Sequence, residues 1–98
     1  MNTFLIESEG PTLRLCLLGE LTIEHARELH AALVSALQPG RTLAIDASAA
    51  TRLDAAVLQV LVAAAGAARQ AVLLADSPGW NDAFRRYALA NPFGPPTP

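Results

Sequence analysis

Residues 42–61 read TLAIDASAATRLDAAVLQVL. The first six residues, 42–47, are a short apolar run of the kind expected of a buried strand. Residues 48–53, SAATRL, show neither a period of two nor a helical period, and are expected to be a loop. From Asp54 to about Ala68 the chain is apolar nearly all round, which predicts a largely buried helix. Asp54 stands where an N-cap belongs. Its carboxylate is placed to accept from backbone N–H groups two or three residues on, and its charge suits the positive end of the helix dipole.

The pattern extends outward in both directions. Residues 71–75, AVLLA, predict another buried strand. Residues 22–38 predict an amphipathic helix capped by Thr22, with Ile23, Ala26, Leu29, Leu33, Ala36 and Leu37 on a buried stripe and Pro39-Gly40 as its stop. Residues 12–18 alternate Leu13, Leu15 and Leu17 against Thr12, Arg14 and Cys16, the period of a strand, which Gly19 is expected to end. Residues 3–8 form its hairpin partner across the turn Glu9-Gly10-Pro11. Downstream, Ser77 caps a third helix with Pro78 at its first position. Trp80, Ala83, Phe84, Tyr87 and Ala88 share one face of it. The tail, NPFGPPTP, has four prolines in eight residues and is expected to be unstructured beyond Phe93.

The order is β-β-α-β-α-β-α. Strand–helix–strand crossovers favour parallel pairing, and the opening hairpin adds an antiparallel edge. The expected fold class is α/β: a single domain over residues 1–90, with a mixed sheet of about four strands packed against about three helices. Residues 91–98 form a proline-rich C-terminal tail.

Composition narrows the function. Of the 98 residues, 52% are hydrophobic and 16% charged, with a formal net charge of −2. That is a globular chain with no basic patch, so nucleic acid is not an expected partner. All seven basic residues are arginine, which reads as coding bias rather than mechanism. Cys16 is the only cysteine and is expected to be a buried structural thiol. The start of the chain lacks the basic region and apolar core of a signal peptide. The longest apolar run falls short of the roughly 20 residues of a spanning helix. A cytoplasmic protein without direct membrane insertion is expected.

The search for chemistry returns little. His25 and His30 point about 140° apart on a helix and cannot share a metal. No zinc, thiol-redox, nucleophile-elbow or phosphate-loop pattern is present. Asp46 and Asp54 would form a carboxylate pair if the strand end and the helix start converged, but no nucleophile or metal ligand accompanies them. No enzymatic activity, metal or cofactor is expected.

The ordered set of segments resembles the STAS domain, the family of sulfate-transporter and anti-sigma-factor-antagonist modules. LRLCLLGELTIEHARELHAAL resembles its strand, its G-x-L turn and its first helix. TLAIDASAATRLDAAVLQVLVAA resembles its signature segment, an apolar strand ending in Asp, then hydrophobic-Asp-Ser-Ser-Gly-Leu opening a helix. LLADSPGWNDAFRRYAL resembles its closing strand and helix. In the antagonists, a serine or threonine at the head of the second helix is phosphorylated by a partner kinase. Here the family's Asp falls on Asp54, the next residue on Ala55, the phosphoacceptor on Ala56 and the glycine on Val57. Alanine has no hydroxyl, so the resemblance implies a docking module without the phosphoswitch. Ser48 and Thr51 are the nearest substitute acceptors.

The implied docking surface comprises Ser48, Thr51, Arg52, Asp54, Ala55, Ala56 and Val57, with nearby parts of the first helix. The implied function is protein–protein interaction in bacterial signalling, like that of an anti-sigma factor antagonist or a chemotaxis-associated STAS protein. The partner would be an anti-sigma or serine-kinase-like protein, or a chemotaxis-type protein. The alternative is an accessory STAS subunit bound to the ATPase of an ABC transporter of the phospholipid-trafficking type.

Overall fold

A computed structural model describes residues 3–37 and 40–96. The elements run β1 (Phe4–Glu9), β2 (Thr12–Leu21), α1 (Ile23–Ala36), β3 (Thr42–Leu53), α2 (Ala55–Ala67), β4 (Gln70–Ala75) and α3 (Pro78–Arg86). The sheet order is β1-β2-β3-β4. β1 is antiparallel to β2, whereas β2, β3 and β4 are mutually parallel. Both crossovers step the same way along the sheet, so the right-handed rule puts α1 and α2 on one face, and these two helices pack against each other. The expected class and element order are therefore those observed.

Period two builds the core. Leu13, Leu15 and Leu17 of β2 point to the helices, with Leu43 and Ile45 in register beside Leu13 and Leu15, and Leu73 beside Ile45. Above them lie Ala26, Leu29 and Leu33 of α1 and Val57, Leu58, Leu61 and Ala64 of α2, all buried. The other face carries Glu7, Arg14 and Asp46, and it is only half-covered. Cys16 lies on that face and is half-buried, not buried as expected.

Two boundaries depart from the sequence reading for one reason. β2 does not end at Gly19 but runs on to Leu21, and residues 48–53 are strand, not loop. Between Cys16 and Leu18 the register moves from Asp46 to Ala49. Between Gly19 and Glu20 it moves from Ala50 to Arg52. Each step places an extra residue in β3, which is a bulge. Gly19 sits at the second with φ 67°, a conformation that glycine adopts without steric cost. The bulges turn the burial period of β3 from two to three. Ala47, Ala50 and Leu53 face the core while Ser48, Ala49, Thr51 and Arg52 are exposed. A period of three is invisible to a search for alternation.

The bulged half of β3 seats α3. Ser77 Oγ accepts from Trp80 N–H at 3.1 Å, as its expected cap role requires, and donates to the Ala50 carbonyl at 2.8 Å. Trp80 is fully buried, with Phe84 and Phe93 against it at ring-centroid distances of 4.8 and 5.6 Å. The tail is thus folded as far as Phe93. Tyr87 is half-buried, and Ala88 has left the helix with φ 53°. At the far end of α1, Arg41 donates to the Ala36 and Gly10 carbonyls, both at 3.1 Å, closing a helix C-terminus against the hairpin turn. The expected extension of α1 to Gln38 and its stop at Pro39 lie outside the described residues.

Gly79 marks the tightest approach. A Cβ there would meet the Thr51 carbonyl and come within 2.9 Å of the Ala50 carbonyl oxygen. Both atoms belong to backbone and cannot rotate away. Gly79→Ala is expected to lower unfolding free energy by about 1–3 kcal/mol. Urea denaturation followed by Trp80 fluorescence measures this, and an unchanged midpoint would contradict the seating of α3 on β3.

Candidate functional site

β2 and β3 are parallel neighbours and each leads directly into a helix. The heads of α1 and α2 therefore emerge side by side at one edge of the sheet. Two hydrogen bonds fix the joint. Asp54 N–H donates to the Leu21 carbonyl at 3.0 Å, and Asp54 Oδ2 accepts from the Ile23 N–H at 3.1 Å. The carboxylate expected to cap its own helix makes no such bond in α2. It caps the first turn of α1 instead. The pairing of Leu21 with Leu53 accounts for this, because it brings the unpaired Ile23 amide within reach of Asp54. The negative charge still lies between two helix N-termini, where both dipoles favour it.

The α1 head has a second acceptor. Thr22 N–H donates to His25 Nδ1 at 2.9 Å, and Thr22 Oγ1 lies 3.3 Å from the same nitrogen. This is the N3-to-N-cap half of a capping box, with histidine in place of the usual Glu or Gln. Its signal in the sequence is Thr22-x-x-His25, which a search for Glu or Gln at that position passes over.

The predicted site residues fall into three groups. Ser48, Thr51 and Arg52 are exposed on bulged β3. Asp54, Ala55 and Ala56 are half-buried, and Ala56 touches the core. Val57 is fully buried and packs inward, so it offers no surface to a partner. Sequence reasoning missed Ile23. Its spacing from Ala26 placed it on the buried stripe, yet it is 68% exposed. At the first position of α1 no preceding turn lies over it, and its amide is the one bonded to Asp54. Ile23 is thus exposed at the head of α1, bonded through its amide to the residue that precedes Ala55 and Ala56, with Glu24 and Arg27 exposed on α1 and Thr51 and Arg52 exposed on β3.

Asp46 and Asp54 form no pair. Asp46 Oδ1 accepts from the Ser48 hydroxyl at 2.6 Å and the Ser48 amide at 3.0 Å, and Oδ2 lies 3.4 Å from Arg14 Nη2. The Ser48 hydroxyl, then the Ser48 amide, then Arg14 hold the Asp46 carboxyl below the usual carboxylate range, against the opposing effect of burial. The Ser48 hydroxyl is already engaged as a donor. Among the described residues no cluster of His, Cys, Asp or Glu could hold a metal, and no helix is long and apolar enough to cross a membrane.

Residues 4–91 match the family model described as "Mlab, STAS domain". The chain belongs to the STAS family. Similar solved structures include an anti-sigma factor antagonist from Mycobacterium paratuberculosis, 22% identical with a TM-score of 0.77, covering 94% of this chain and 82% of that one. The anti-sigma factor antagonist SpoIIAA in its unphosphorylated form is 20% identical with a TM-score of 0.69, covering 88% and 81%. No curated protein matches the chain significantly.

Two outcomes test the joint. Asp54→Ala is expected to cost about 1 kcal/mol, with the Ile23 amide losing hydrogen-exchange protection. If the amides of α2 lose protection while Ile23 keeps it, the cap belongs to α2 after all. Asp46 has a lowered folded-state pKa, so its stabilisation is present above the unfolded carboxylate range and is lost as pH falls through the folded value. Asp46→Asn is expected to lower stability at neutral pH and to flatten the acid limb of the stability curve. Parallel acid limbs in the two proteins would contradict this.

Proposed function

We propose that this STAS domain is a non-enzymatic protein–protein interaction module in bacterial signalling that docks through the paired heads of α1 and α2 and has no phosphoswitch there. The observation that carries the reading is Ile23. A large apolar side chain, 68% exposed, stands at the joint of two helix heads, its amide bonded to the Asp54 that precedes Ala55 and Ala56. Thr51, Arg52, Glu24 and Arg27 give a polar rim to an apolar centre, the usual anatomy of an interface. Desolvating an isoleucine supplies about 1.5–3 kcal/mol, enough to matter for a partner's affinity.

Ala55 and Ala56 are the first two residues of α2. With no hydroxyl at either, binding here is constitutive or is governed from the partner's side. A phosphate would add about −1.5 to −2 charges next to Asp54. The partner that suits this reading is an anti-sigma or serine-kinase-like protein, or a chemotaxis-type protein. The two similar antagonist structures support it, in fold.

A second reading is an accessory subunit on the ATPase of an ABC transporter of the phospholipid-trafficking type. The family model carries the description Mlab rather than that of an antagonist, and the antagonist structures share only 22% and 20% identity, so similarity does not select between the two. The same surface would serve either partner.

Tagged protein pulled down from its native host, with bound proteins identified by mass spectrometry, separates the readings. A kinase-like, sigma-related or chemotaxis protein supports the first, and a transporter ATPase supports the second. Ile23→Ser and Ala56→Asp are expected to weaken binding of the captured partner by about tenfold or more each, the equivalent of ~1.4 kcal/mol. A carboxylate in the first turn at position 56 is favoured by the helix dipole, which opposes the loss of the Ala56 contact with the core. Titration calorimetry, with thermal melts of each variant, checks both. Wild-type affinity in both variants would place the interface elsewhere.

A further inference from the structure

We infer that the first turn of α1 is a proton-operated latch, closed by the neutral imidazole of His25 and released when that imidazole is protonated. Two successive amides at the α1 head depend on side-chain acceptors. Thr22 N–H is held by His25 Nδ1 at 2.9 Å, and Ile23 N–H by Asp54 Oδ2 at 3.1 Å. The acceptors differ in kind. A carboxylate keeps several lone pairs, whereas a neutral imidazole has one, and protonation turns both ring nitrogens into donors.

Protonated His25 can still donate from Nδ1 to Thr22 Oγ1, 3.3 Å away. The Thr22 amide then loses its acceptor. At the same time a positive charge arrives at the positive end of α1. The two effects have the same sign: the turn is tied down when His25 is neutral and loosened by acid. Histidine is the side chain whose charge ordinarily changes between pH 5 and 8. A Glu or Gln at this position, the ordinary capping-box residue, would give no such response in that range.

The charged groups on the elements that meet here are Glu20 at the end of β2, Glu24, Arg27 and Glu28 on α1, Arg52 at the end of β3, and Asp54 before α2. The Thr22 amide is bonded to His25 and to none of these among the described residues, so the direction of the response rests on the imidazole. His30, exposed on the same helix, serves as an internal reference. The latch does not depend on the proposed docking role, although Ile23 belongs to both.

The test is a nitrogen-15 NMR titration of the full chain from pH 8 to pH 5, following the Thr22 and Ile23 amides and both histidine rings. As the His25 ring titrates, the Thr22 amide proton is expected to shift upfield. Protection of the two amides, corrected for intrinsic exchange, is expected to fall about fivefold, the scale of a lost helix cap. His25→Gln keeps a neutral acceptor and is expected to hold both signals steady over the range. His25→Ala is expected to show the loosened state already at pH 8. The inference is overturned if the wild-type Thr22 amide is indifferent to the His25 titration. It is equally overturned if His25→Gln responds as the wild type does, or if His25→Ala matches wild type at pH 8.

Discussion

The parallel pairing of the last residues of β2 with the bulged end of β3 is the constraint on which the rest of the molecule depends. It sets Leu21 beside Leu53. Each strand hands over at once to a helix, so the register of one strand pair fixes where two helices begin. Asp54 closes the joint in both directions, donating to the Leu21 carbonyl and accepting from the Ile23 amide. A one-residue slip would move Leu53 off the core face and separate Asp54 from Ile23 together. Stability of the sheet and geometry of the surface are therefore one problem. The α3 head rests on the same segment through Ser77 and Gly79, so the third helix inherits the register as well.

Electrostatics at the joint follow from that geometry. Two helix N-termini lie together, which concentrates partial positive charge and unpaired N–H groups in a small space. One carboxylate and one imidazole serve as acceptors. A single negative charge between two dipoles is stabilised by both, which explains an acidic residue at position 54 better than the capping of α2 alone. Ala55 and Ala56 suit the first turn of α2 through their high helix propensity.

Much of the fold was legible. Alternation in β2 and the three-and-four spacing of Ala26, Leu29 and Leu33 report directly which side chains meet the core. The Ser77-Pro78 start of α3 is legible because capping is local chemistry. Three things where the strands become helices were not. The strand at 48–53 was hidden because bulges replace period two with period three, and bulges are set by the partner strand. The exposure of Ile23 was hidden because a helical stripe says which direction a residue faces, not whether anything lies there at a helix end. The target of Asp54 was hidden because its acceptor geometry involves a residue 31 positions away. Of the residues proposed for docking, Ser48, Thr51 and Arg52 are exposed as a surface role requires, whereas the exposure of Ile23 and the inward turn of Val57 could not be read from spacing.

These failures share a location. Each occurs at the edge where β2 and β3 become α1 and α2, and each arises because a local rule is overruled by a neighbour. Consistency between local pattern and final structure is what makes a core robust, and departures from it concentrate where a chain does something other than fold. The bulges cost ladder regularity, and in return they turn Ser48, Ala49, Thr51 and Arg52 outward while Ala47, Ala50 and Leu53 keep the sheet anchored. An exposed isoleucine and a histidine in a capping box are similar departures, each less stable in isolation than the ordinary choice. Their convergence where β2 and β3 become α1 and α2 is the physical argument behind the proposed docking surface, and it holds independently of any likeness to other proteins.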